Sequence, residues 1–157
     1  MITNIYLVRH AHSKYNLDEL NRPLSEEGIN ESKKVVDLLI DKNITKIISS
    51  PYKRARQTVE KLERHFKLNI IINDKFRERN ISNGYIDDFD KVISKYWRDF
   101  NFALYGGESS NSAQSRGVGE LKNLLKKYKG ENIVIGTHGN IMVLIMNYYN
   151  KKYNYYF

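Results

Sequence analysis

The chain has 157 residues, 41% of them hydrophobic and 28% charged, the size and balance of one soluble globular domain, residues 1–157, that can bury one sizeable core. It contains no cysteine, which excludes disulfides, thiolate metal sites and a cysteine nucleophile and favours a cytoplasmic location. A net charge of +8 would suit nucleic acid, an anionic membrane or small anionic substrates, but the lysines are spread along the chain in runs no longer than pairs, the pattern of a solvated surface.

The opening "MITNIYLVRHAH" has no charged lead and too short an apolar run for a secretory leader. Within it "NIYLV" reads as a short buried strand, and "SEEGINESKKVVDLLIDKN" as a helix capped by Ser25 with Glu26 and Glu27 in its first turn. "KIISS" is a second strand closed by Pro51, followed by a helix whose Ala55, Val59, Leu62 and Phe66 form one apolar stripe. "LNIII" is a third strand. "DFDKVISKYWRDF" is an amphipathic helix expected to turn Phe89, Val92, Ile93, Tyr96, Trp97 and Phe100 inward. "NSAQSRGVGELKNLLKKYK" is a helix weakened by two glycines, "NIVIG" a fourth strand and "NIMVLIMNYYN" a buried final helix. The segment "IVIGTHGNIMVLIM" is the most apolar late stretch, but Gly136, His138, Gly139 and Asn140 in its middle argue against a membrane span. Strands that alternate with helices predict a three-layer α/β/α sandwich on a mostly parallel central sheet.

Ligands of open α/β sheets bind outside the carboxyl ends of the strands. The first strand ends in Arg9-His10, the second in "SSPYKRAR" and the fourth in "GTHGN". Independent strand ends would rarely choose histidine or arginine three times over. Arginine grips phosphate oxygens with two parallel donors, and a neutral imidazole attacks phosphorus. Neighbouring arginines help keep such an imidazole neutral by penalising a further positive charge. The leaving oxygen then needs an acid, and Glu78 in "DKFRERN" stands close enough in sequence to the third strand to qualify.

Together "LVRHAHSKYN", "SSPYKRARQT", "FRERN", "GGES" and "GTHGN" resemble the histidine phosphatase superfamily, which includes the cofactor-dependent phosphoglycerate mutases. The motifs come in that family's order and span residues 5 to about 145. The resemblance implies that His10 is the phosphorylated nucleophile and that Arg9 and Arg54 clamp the phosphate. It further implies that Asn16 and Ser13 contact the phosphate, that His138 binds the transferring group, that Glu78 donates the proton, and that Ser109 touches the substrate. The chain departs from the pattern at Ala11, where the family more often has Gly, and after Glu78, where "RNISNGYID" lacks the usual Phe-Gly and Glu-Gly. Relatives commonly continue into a further edge segment, so the chain reads as a short form, natural or truncated.

An H-x-H after a first strand also opens metal-dependent amidohydrolases, but those need a barrel of about 250 residues and further metal ligands where this chain offers arginine. No metal, cofactor, nucleic acid or membrane is expected, and the oligomeric state stays open. His12 reads as a rim residue and His65 as solvated. The function expected is a phosphatase acting on small phosphomonoesters. A phosphoglycerate mutase, a phosphohistidine-protein phosphatase and a non-catalytic phosphate-binding protein are the alternatives.

Overall fold

A computed structural model describes residues 1–157. Strands β1 (Asn4–Arg9), β2 (Lys46–Ser49), β3 (Ile70–Ile72) and β4 (Asn132–Thr137) alternate with helices α1 (Glu26–Leu39), α2 (Lys53–Phe66), α3 (Phe89–Arg98), α4 (Ser110–Lys127) and α5 (Gly139–Tyr149). Every strand pair is parallel, in the order β1-β4-β2-β3.

Successive side chains on a strand point to opposite faces, and here that alternation builds two cores. Ile133 and Ile135 of β4, with Ile48 of β2, pack under Leu121, Leu124, Ile141 and Leu144 from α4 and α5. Val134 and Ile47, one residue out of step, pack under Leu39, Val59 and Leu62 from α1 and α2. Each side chain fully removed from water in this way contributes about 2 kcal/mol before entropy is counted. A parallel sheet covered on both faces is the three-layer α/β/α sandwich that the alternating segments imply.

Several local expectations shift. Helix α4 runs unbroken for 18 residues. A Cβ at Gly117 would lie 2.8 Å from the Ile145 side chain, so this glycine lets α4 and α5 approach closely. Phe89 begins α3 but is 56% exposed, because the inward stripe of that helix is carried by the buried Ile93 and Tyr96. Strand β3 starts only at Ile70 and lies at the sheet edge, leaving Ile71 and Ile72 half in solvent. No helix is long and apolar enough to cross a membrane.

The functionally decisive feature is the insertion of β4, the last strand in sequence, between β1 and β2. The chain leaves β1 toward α1 on one face and leaves β4 toward α5 on the other. That makes a crevice at the carboxyl edge where the order switches. Backbone bonds continue the register past the strand ends: His10 N–H donates to the Thr137 carbonyl and Ser50 N–H to the Gly136 carbonyl, both at 2.9 Å.

Candidate active site

His10 and His138 follow β1 and β4 directly, and their ring centroids stand 5.3 Å apart in an edge-to-face arrangement. His10 Nδ1 lies 2.8 Å from the Ala11 carbonyl, an acceptor only, so Nδ1 carries the proton and donates it. Nε2 is left with a free lone pair. Burial, followed by the charges of Arg54, Arg9 and Arg22, outweighs the bond to Ala11 and lowers the His10 pKa from 6.5 to about 4. The imidazole is therefore neutral, in one fixed tautomer, at physiological pH.

His138 is wholly buried at the N-terminus of α5. Its Nε2 is 2.8 Å from the Ser50 hydroxyl, which also accepts the Tyr52 N–H, and the Tyr52 ring packs edge-on at 4.9 Å. Burial first, then Arg54 and His10, lowers its pKa to about 2. Nδ1 is buried with no partner in the protein. A Ser50 hydroxyl donating to Nε2 would place the ring proton on that unpartnered Nδ1.

The partly buried His10 and the buried His138 make stability depend on acid. Unfolded, both titrate near the ordinary value of 6.5, whereas folded they hold out to about 4 and about 2. Below pH 6.5 the unfolded chain binds more protons than the folded one, so the stability present above that pH is lost progressively as pH falls. The fully buried His138 alone should cost about 2 kcal/mol at pH 5. Urea unfolding at pH 7.5 and pH 5 would measure this. His138→Gln should flatten the slope by about one proton, and an unchanged slope would show that His138 is accessible to protons in the folded state.

Arg54 sits in the first turn of α2 with a side chain only 2% exposed. Its guanidinium packs over the Tyr52 ring at 4.8 Å. Two polar residues further along α2 are engaged elsewhere: Glu60 pairs with Arg64 at 3.3 Å and Gln57 accepts the Leu24 N–H at 2.9 Å. Instead Nη1 donates to the Glu19 carbonyl and Nη2 to its carboxylate, at 2.6 and 3.0 Å. Arg22 joins the same carboxylate at 3.0 Å. Arg22 was not singled out from sequence, yet its charge acts on both histidines and on Arg54. The only local signal was its place beside Pro23, between the first strand and first helix. Arg9 ends β1 in register with Thr137, and its guanidinium lies against Gly139, where a Cβ would stand 3.2 Å from Nε.

Glu78 reaches the same edge by a different route from a surface ion pair. Arg77 pairs with Asp74 at 2.7 Å, and the buried Arg79 bonds the Ser110 hydroxyl at 2.7 Å and stacks on Tyr96. The Glu78 carboxylate instead meets the first turn of α5. Its Oε1 accepts the N–H groups of Arg79 and Ile141 at 2.9 and 3.0 Å, and its Oε2 accepts that of Asn140 at 3.1 Å. It caps the helix that His138 begins, with one lone pair of Oε2 still open.

Of the remaining expected contacts, the Asn16 and Ser109 side chains are spent locally. Asn16 is exposed, and its Oδ1 accepts the Asp18 N–H at 2.9 Å within its own loop. Ser13 forms a bridge to Leu24 and shares an open cleft with His10, His12 and Glu31. The Ser109 hydroxyl caps α4 by accepting the Ser112 N–H at 3.1 Å, in a separate cleft with Arg77, Asn80 and Glu108. His12 is exposed at the rim, 2.7 Å from the Ser25 hydroxyl. No group of three or more His, Cys, Asp or Glu is arranged to hold a metal ion.

Two neutral histidines, the buried Arg54 and the partly buried Arg22 come together at the switch point of a parallel sheet. The chain belongs to the histidine phosphatase superfamily, branch 1, whose family model matches residues 5–154. It is 28% identical over 152 residues to phosphoserine phosphatase 1 of Hydrogenobacter thermophilus, covering 87% of this chain and 71% of that protein. It is 26% identical over 154 residues to phosphoglycerate mutase-like protein 4 of Arabidopsis thaliana, covering 88% and 67%. Among solved structures, YhfR of Bacillus stearothermophilus superposes with a TM-score of 0.81 at 21% identity, covering 96% of this chain and 81% of that one, which shows a shared fold.

Proposed function

We propose that the chain is a metal-independent phosphatase that hydrolyses small-molecule phosphomonoesters through a phosphohistidine at His10. The observation that carries the reading is the pair of neutral imidazoles 5.3 Å apart, one with a free Nε2 lone pair, beside the buried Arg54. The phosphoserine phosphatase named above makes small alkyl phosphates the first substrates to try. Between Glu78 and the α4 cap the chain folds one helix, α3, which leaves little to enclose a bisphosphate as a mutase must. The dispersed lysines favour a small anion over nucleic acid as partner, and the cysteine-free chain fits a cytoplasmic setting.

In this mechanism the substrate dianion enters between the imidazoles, with arginine donors and the His138 Nδ1–H on its equatorial oxygens. His10 Nε2 attacks phosphorus in line. As the N–P bond forms, the P–O bond to the alcohol breaks and the departing oxygen takes a proton. The Nδ1–H bond to the Ala11 carbonyl stays in place and stabilises the positive ring of the phosphohistidine. Water then attacks phosphorus from the side the alcohol left and passes a proton to the carboxylate of the group that protonated the alcohol; the N–P bond breaks, releasing phosphate and restoring neutral His10. A panel of phosphomonoesters and phosphopeptides, assayed with and without a chelator, tests the reading. Turnover only of phosphopeptides, or turnover abolished by the chelator, would overturn it.

Glu78 is the proposed proton donor, as the neutral acid with its proton on the open side of Oε2. Glu78→Gln should lose roughly a hundred- to ten-thousand-fold on alkyl phosphates and far less on p-nitrophenyl phosphate, whose leaving group needs no proton. The amide NH2 would also confront an α5 N–H, costing about 1–3 kcal/mol of stability. Equal losses on both substrates would reduce Glu78 to a helix cap. Asp87 and Glu108 are the carboxylates that could take its place, and Glu108 is a poor acid here. Burial alone would raise its carboxyl, but the Arg116 pair at 2.8 Å and the charges of Arg77 and Arg79 hold it below the usual range.

A further inference from the structure

The arginines of the site are already holding an anion. Glu19 Oε2 lies 3.0 Å from Arg54 Nη2, and its Oε1 lies 3.0 Å from Arg22 Nη1, so one carboxylate bridges both guanidiniums. A carboxylate offers the same pair of oxygens to an arginine fork that a phosphoryl group does. The occupancy is incomplete, because the Nε donors of both arginines are buried without a partner. It is also lopsided: Arg54 is 2% exposed, whereas the Glu19 side chain is 54% exposed. The carboxylate covers the solvent side of a buried cation and can swing into water without opening the core.

The loop does not need that side chain to stay in place. Arg54 Nη1 is held by the Glu19 carbonyl at 2.6 Å. Lys53 N–H donates to the Leu20 carbonyl and Arg22 N–H to the Asp18 carbonyl, both at 2.9 Å. Backbone bonds therefore fix the loop against α2, and the carboxylate is the one part left free to leave. A dianion arriving beside His10 would repel it and compete for the same N–H groups.

We propose that Glu19 is an internal competitor of the phosphoryl group, a counterion that closes the Arg22–Arg54 clamp when the site is empty and is displaced on binding. The inference rests on the reading of Arg54 as a phosphate clamp. Affinity for phosphate is then the intrinsic affinity of the clamp reduced by the cost of moving Glu19, so this residue sets the working range of substrate and product. A permanent brace would behave in the opposite way, since removing its charge would disorder Arg54 and weaken binding.

Calorimetric titration of the full chain with inorganic phosphate and with orthovanadate separates the two. Glu19→Gln should bind both about tenfold tighter than wild type, the scale of one exposed, doubly bonded ion pair. Glu60→Gln removes the same charge from the exposed Glu60–Arg64 pair and should bind like wild type. Equal or weaker binding by Glu19→Gln overturns the proposal, as does equal tightening in both variants, which would be a general charge effect. Glu19→Asp keeps the charge but is too short to bridge both arginines, and it serves if the glutamine variant does not fold. Tightening by Glu19→Asp supports displacement, and its absence rejects it. A wild type that binds neither anion and forms no phosphoenzyme would instead sink the active-site reading itself.

Discussion

His10→Ala is expected to abolish the phosphoenzyme and to lower turnover by on the order of 10⁴- to 10⁶-fold, the scale on which an attacking group fails when removed. The expectation follows from geometry that no neighbour can reproduce. His10 has its Nδ1 tied to the Ala11 carbonyl and Nε2 free, whereas His138 has Nε2 at the Ser50 hydroxyl and no exposed surface. His12 is exposed and turned toward Ser25, so it cannot substitute, and His12→Ala should keep most of the activity. Rapid acid quenching with a labelled phosphomonoester should trap a phosphoryl group that is acid-labile and base-stable and maps to His10. Label on serine, or label that survives in His10→Ala, would defeat the mechanism.

Arg54→Lys is expected to weaken phosphate and vanadate binding by about 100-fold despite keeping the charge. The guanidinium now makes divergent bonds from Nη1 and Nη2, stacks on Tyr52 and holds a third donor, Nε, in reserve. An ammonium offers its donors from a single point and cannot satisfy the loop carbonyl and a phosphoryl group in those directions together. Burial and the charge of Arg22 already oppose a cation at this position, so the variant should also be less stable. Competitive inhibition constants for vanadate, measured beside thermal unfolding, would check both effects. Unchanged affinity with lowered stability would make Arg54 only a brace for the Glu19 loop.

Much of the site can be read along the chain because its parts are local. A short apolar run that stops at Arg9-His10, or at "GTHGN", declares a strand and what stands at its carboxyl end within about ten residues. The apolar stripe Ala55, Val59, Leu62 likewise turns toward the core in α2. The resemblance to a family then assigns roles to residues that carry the right chemistry. It is weaker for small polar residues: Asn16 and Ser109 match their motifs, yet both use their side chains on nearby backbone N–H groups. A Ser or Asn beside a turn or helix start has a local partner at hand whether or not a ligand exists.

By itself, then, the sequence determined the alternation of strands and helices, the layered α/β class that follows from it and the presence of histidine and arginine at three strand ends. These depend on periodicity and on residue type, which act over one or two turns of chain. Only the tertiary structure decided that β4 enters between β1 and β2, and with it that His138 faces His10 across 128 positions of sequence. Only the fold tied Glu78 to the first turn of α5 and delivered Glu19, with its local partner Arg22, to Arg54. No periodicity encodes such meetings. They arise because the strand order sets which loops share an edge, and because a buried guanidinium or an open helix N-terminus must be satisfied by whatever acceptor the packing brings within reach.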